Sequence, residues 1–122
     1  DKYHYDAEAG LIPFFEWLDS KKTSARNLNH GKIDYGGIEA ILQQGFIDLV
    51  ASQRSIKDPY VGTFPTNLVG DEDHGPDRRL DYIFVSPNLR KNILSVEILR
   101  DEMTEMLSDH IPVAVVMDLG KE

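Results

Sequence analysis

The chain has 122 residues, of which 41% are hydrophobic and 28% charged, enough for one hydrophobic core and too apolar for an intrinsically disordered polypeptide. Lys and Arg total 13 against 21 Asp and Glu, a net charge of -8, which disfavours tight non-specific nucleic-acid binding but leaves open an acidic hydrolase that recruits a divalent cation. Cysteine is absent, which removes disulfides, thiolate metal sites and cysteine nucleophiles together, and no apolar run approaches the length of a membrane span.

In chain order, Leu11, Phe14, Phe15 and Leu18 fall at helical spacing and predict a helix from about Pro13 to Ser20, with Pro13 in its first turn. Residues 21 to 35 show no period and many loop formers, and Lys21, Lys22, Arg26 and Lys32 make them locally basic. Such a loop is either a solvated face or a contact for an anionic substrate. A second helix is predicted over GGIEAILQQG, with Ile38, Ile41 and Leu42 on one face and Gly45 as its stop. FIDLVA then either begins a strand or packs under that helix; YVGTFPT reads as extended, and NLVGDEDHGPD as loop.

The last third predicts strands over residues 79 to 86, 93 to 99 and 110 to 119, and their short connections argue for antiparallel neighbours. Because side chains alternate, Leu80, Tyr82 and Phe84 share one face of the first strand, and Asp81, Ile83 and Val85 the other. His110 lies with Pro112, Ala114 and Val116, and Asp109 with Ile111, Val113 and Val115. Strands apolar on both faces belong in the middle of a layered structure.

Asp81 interrupts such a face, and a buried carboxylate is costly unless it is paired, hydrogen-bonded or bound to a metal. Arg79 shares its face and is one available partner. The other is His110, if the two strands are neighbours: Asp81 would then fix the tautomer of the imidazole, leaving the second nitrogen to move a proton or meet a phosphoryl oxygen. Asp109, beside it, would hold a divalent cation or its water, although an Asp-His dipeptide at a strand end also serves as a plain cap or turn.

Weaker signals carry little. His4, His30, His74 and His110 fit no zinc spacing. DEDHG at 71 to 75 lacks the closing Glu of a calcium loop, and YGG at 35 to 37 lacks the Lys of a phosphate loop. Phe14, Phe15 and Trp17 read as core or interface aromatics.

RRLDYIFVS at 78 to 86 followed by LSDHIPVAVVMDL at 107 to 119 resembles the C-terminal signature of the endonuclease/exonuclease/phosphatase superfamily, the metal-dependent phosphohydrolases related to DNase I. GTFPT at 62 to 66 and GFIDLV at 45 to 50 resemble it too, so the likeness covers residues 36 to 119, about two-thirds of the chain. The resemblance implies an α/β fold, a four-layer α/β/β/α sandwich with mainly antiparallel sheets, of which this chain supplies about half. It implies that Asp81 orients His110, that His110 acts at the scissile phosphate as general base or electrostatic stabiliser, and that Asp109 belongs to the metal and water site.

The family's N-terminal Asn and Glu ligands and its mid-chain Gly-Asp-Phe-Asn type motif have no counterpart here. Residues 1 to 122 are therefore expected to be one unit, the C-terminal part of such a domain whose N-terminal half is missing, with residues 1 to 35 a candidate insertion.

The expected activity is phosphodiester or phosphomonoester hydrolysis with Mg²⁺ or Mn²⁺, by in-line attack of water, largely lost in the isolated fragment. His110, Asp81 and Asp109 are the expected catalytic residues, with Asp109 toward the metal and Arg78 and Arg79 toward the substrate. Nucleic acid, lipid, inositol and nucleotide phosphates all remain open as substrates. The competing expectation is a non-catalytic fragment or divergent member that binds partners through an exposed sheet face. No feature points to a compartment.

Overall fold

A computed structural model of the protein describes residues 10–21, 26–55, 57–69 and 74–120. Its first helix, α1 (Ile12–Lys21), keeps Pro13 in the first turn, where the missing N–H costs no helical bond. Phe15 is its buried anchor, packing beside Leu11, while Trp17 stays exposed.

The polar stretch read as loop contains a hairpin, β1 (Leu28–Asn29) against β2 (Lys32–Ile33), turned by His30 and Gly31, both with positive φ. Two such residues between short strands match the right-handed twist of a tight hairpin, and Gly31 was the available signal. The Asp19 carboxylate of α1 accepts hydrogen bonds from the backbone N–H groups of Asn27 and Leu28, which moors the hairpin to the helix.

Helix α2 (Gly36–Gln43) ends as expected: Gly45 takes φ +86° and donates its N–H to the carbonyl of Leu42. FIDLVA resolves into both readings at once. Strand β3 (Ile47–Asp48) runs directly into α3 (Leu49–Gln53), and the Asp48 side chain caps that helix by accepting from the Ala51 N–H. Leu49, Val50 and Ala51 are buried, so this short helix is the centre of the core, joined by Leu11, Phe15, Val85 and Ile111.

Strand β4 (Phe84–Val85) pairs antiparallel with β3, aligning Ile47 with Val85 and Asp48 with Phe84. A 3₁₀ turn (Pro87–Asn92) leads into β5 (Ile93–Ile98), which pairs antiparallel with the last strand, β6 (Val113–Met117). The far end of that ladder is closed by Asn92, whose carbonyl and side-chain amide both bond the Asp118 backbone. The described architecture is thus mixed α/β with three small antiparallel sheets of two strands each.

Two expectations need correction. The strand predicted over 79 to 86 shrinks to Phe84–Val85, because the N–H groups of Leu80 and Asp81 bond the Thr63 hydroxyl instead of a neighbouring strand. The last strand, expected to be covered on both faces, is not: Val116 of β6 is 52% exposed, beside Leu94 of β5, which is 57% exposed. A two-stranded sheet has one face on the core, and among the described residues no further layer lies over the other. The stretches His4 to Asp6 and Asp71 to Asp73, like Lys22, fall outside the described residues.

Candidate active site

Asp81 and His110 meet, although they are 29 residues apart and lie on the segments that lead into strands of different sheets, β4 and β6. Nδ1 of His110 stands 2.7 Å from Oδ2 of Asp81. An ionised carboxylate only accepts, so Nδ1 is the donor and Nε2 is the nitrogen left for chemistry. Neighbouring strands are not what brings the pair together. The structure uses a different device.

That device is the segment Gly62-Thr63-Phe64, which bonds the backbone beside each partner. Thr63 has no exposed surface at all. Its hydroxyl accepts from the Leu80 and Asp81 N–H groups at 2.9 and 3.1 Å, and its carbonyl accepts from the Ile111 N–H at 2.7 Å. One buried threonine therefore holds the backbone on both sides of the pair. Phe64 then packs against the imidazole, tilted by 47° with ring centroids 4.8 Å apart, which restrains the ring. A second tie, from the Thr66 hydroxyl to the Ser108 carbonyl, fixes the approach to His110.

The pair is reachable. The side chains of His110 and Asp81 are 38% and 41% exposed, and they line an open cleft of about 420 Å³ with Tyr82, Ser108 and Pro112. A larger cavity, about 730 Å³, opens elsewhere, between α2 and β3. Four charged residues line it, Glu39, Asp48, Arg79 and Arg90, and the buried two, Asp48 and Arg79, are bonded to each other.

Asp109 is exposed and accepts a 3.2 Å hydrogen bond from the Ser108 hydroxyl. Among the described residues no three Asp, Glu, His or Cys side chains gather in a way that could hold a metal ion. The described donors do not fit a divalent cation by themselves, and Asp109 contributes at most a single ligand.

Arg78 and Arg79, expected to face substrate, both turn inward. Arg79 forms a two-pronged pair with Asp48, at 2.8 and 2.6 Å, and lies 4.2 Å from the centre of the Tyr82 ring. This also replaces the alternative pairing of Arg79 with Asp81. Arg78 donates to the carbonyls of His74 and Pro76 and packs over Phe64 and Phe14. Both are almost fully buried, and a guanidinium bonded inside a core is not presented to a phosphate.

Sequence reasoning singled out GTFPT but gave Thr63 no role. A hydroxyl that accepts from two backbone N–H groups leaves no trace in composition or periodicity. Comparison of the chain with protein-family models, curated proteins and solved structures finds no match.

Proposed function

We propose that this chain carries the proton-handling part of a phosphoester hydrolase active site. The observation that supports the reading is the 2.7 Å contact between His110 Nδ1 and Asp81 Oδ2 at the mouth of an open cleft. With Nδ1 engaged, Nε2 of His110 meets the substrate, either taking a proton from the attacking water or lending positive charge to the phosphoryl oxygens. Asp81 does not react; it holds the tautomer and offsets charge that develops on the ring. Phe64 and Thr63 keep that geometry from relaxing.

Hydrolysis of this kind draws on Mg²⁺ or Mn²⁺ as an electrostatic partner. Asp109 is the residue of the predicted site that would contribute to binding it, and the remaining ligands would come from residues outside those described. The finer architecture that goes with this reading is the four-layer sandwich, in which a further layer covers the exposed faces of β5 and β6. Substrates are phosphate esters as a class. The net charge of -8 favours small or uncharged-bodied esters over long polynucleotides.

The test is release of the aryl alcohol from a bis-aryl phosphodiester and an aryl phosphomonoester, with Mg²⁺ or Mn²⁺, by this chain and by any longer natural polypeptide that contains it. Activity that His110→Ala leaves undiminished would sink the mechanism. The exposed Leu94 and Val116 support one second reading, a binding module that docks a partner on the open sheet face. Monomeric behaviour with no partner-dependent protection of β5 and β6 from hydrogen exchange counts against it.

A further inference from the structure

Arg100 lies just past β5, ten residues from His110, and belongs to no motif singled out in the sequence. Four acceptors converge on its guanidinium. Nε donates to Glu105 Oε1 at 2.5 Å and Nη1 to Asp77 Oδ1 at 2.6 Å, while the carbonyls of Gly62 and Pro65 accept from Nη1 and Nη2 at 3.3 and 3.0 Å. Each carboxylate spends its other oxygen on the same short segment: Asp77 accepts from the Gly62 N–H and Glu105 from the Asn67 N–H.

We propose that Arg100 is the positioning residue of the Asp81 and His110 pair. The inference deepens the hydrolase reading and rests on it for the importance of that pair. Arg100 with its two carboxylates grips residues 62 to 67 at both ends. Thr63, inside that span, is thereby held where its hydroxyl meets the Asp81 backbone and its carbonyl meets the Ile111 backbone. The grip is closely fitted at Gly62, where a Cβ would come within 2.7 Å of the Arg78 backbone nitrogen as well as striking the Asp77 carboxylate. Glu105 also sits on the stretch that leads to Ser108, so one guanidinium ties together the segments that carry each side of the cleft.

Fork geometry is essential to this role. A planar guanidinium can reach four acceptors in one plane, whereas an ammonium presents a single point of charge. Arg100→Lys therefore keeps the charge and removes the alignment. Asp77→Asn loosens one arm while leaving the Glu105 arm in place, and serves if the first variant folds poorly.

The experiment is a long-range ¹H–¹⁵N spectrum of the neutral His110 imidazole, which reports which ring nitrogen carries the proton, in the unaltered chain and both variants. The expected result is a ring protonated on Nδ1 in the unaltered chain and a mixture enriched in the Nε2–H form in each variant, with the β5 and β6 amide pattern preserved. Where hydrolysis is measurable, kcat falls on the order of 10-fold to 10²-fold in the variants while KM changes little, as for a misplaced catalytic group. The proposal is overturned if both variants keep the tautomer balance of the unaltered chain, or if that chain itself carries the proton on Nε2. A tautomer change without hydrolysis by any form supports the role of Arg100 and tells against the hydrolase reading, so the two failures are distinguishable.

Discussion

Two carboxylate pairs, one with a guanidinium and one with an imidazole, start within three residues of each other, and their contrast explains much of the molecule. Arg79 reaches Asp48 with side chains 1% and 6% exposed, whereas Asp81 reaches His110 with side chains 41% and 38% exposed. The first pair is locked among Tyr82, the α3 cap and the core, so it contributes structure and offers nothing to a ligand. The second contributes little stability, because water competes for both partners, and for the same reason a substrate can reach it. Burial decides which pair builds the fold and which stays open to a ligand.

That contrast can be broken by exchanging the consequences of the two pairs. Replacing His110 with Ala is expected to lower phosphoester turnover by on the order of 10²-fold to 10⁴-fold, the usual scale for a positioned acid or base. The same change should move the urea midpoint only slightly. A large loss of stability would mean that the exposed pair is structural after all.

Asp48→Ala should do the reverse. It leaves the Arg79 guanidinium buried without its carboxylate and removes the α3 cap, a cost of about 3–5 kcal/mol for the broken pair alone. Urea unfolding at neutral pH measures it. A loss below about 1 kcal/mol would show that water enters the site and re-solvates Arg79.

A smaller effect sharpens the link between the two pairs. Thr63→Val preserves shape but leaves the Leu80 and Asp81 N–H groups without their shared acceptor, about 1–3 kcal/mol for a buried donor left unbonded. Turnover should fall beyond what the stability loss explains, because Asp81 is then free to drift from His110. Equal losses in stability and turnover would reduce Thr63 to a packing residue.

The smallest expected effect concerns pH. Desolvation pushes the Glu105 carboxyl up, but hydrogen bonds from Arg100 and from the Asn67 N–H outweigh it and hold the group below its ordinary value of 4.5. A carboxyl depressed in the folded state stabilises above its unfolded value and loses that contribution as pH falls through the folded one. Unfolding midpoints should therefore be insensitive to Glu105 near neutrality, and the difference between the native chain and Glu105→Gln should shrink below about pH 4.5. A gap that persists unchanged at pH 3 would mean that the Glu105 charge is not what Arg100 uses.

Local elements were legible where one period or one stop signal sufficed. Phe15 at helical spacing anchors α1, Gly45 ends α2 with the positive φ that glycine accepts, and β5 and β6 pair antiparallel as expected, across a connection over residues 99 to 112. The hairpin at His30 and Gly31 was missed because two-residue strands carry no period, and the strand over Asp81 was overdrawn because alternation cannot reveal that a distant hydroxyl takes its N–H groups.

The sequence by itself determined the residue types that can do the chemistry, since a carboxylate and an imidazole interrupting apolar strands are costly unless they have work or partners. It also determined the signs of charge along the chain and the faces that seek a core. Only the tertiary structure decided the pairings. Whether Arg79 turned to Asp81 or to Asp48, and whether His110 found Asp81 at all, depended on where Thr63 and Arg100 hold the connecting segments. The Thr63 contacts alone reach 17 residues on to Leu80 and 48 residues on to Ile111, and a hydrogen bond between distant groups has no signature in the order of the residues that make it.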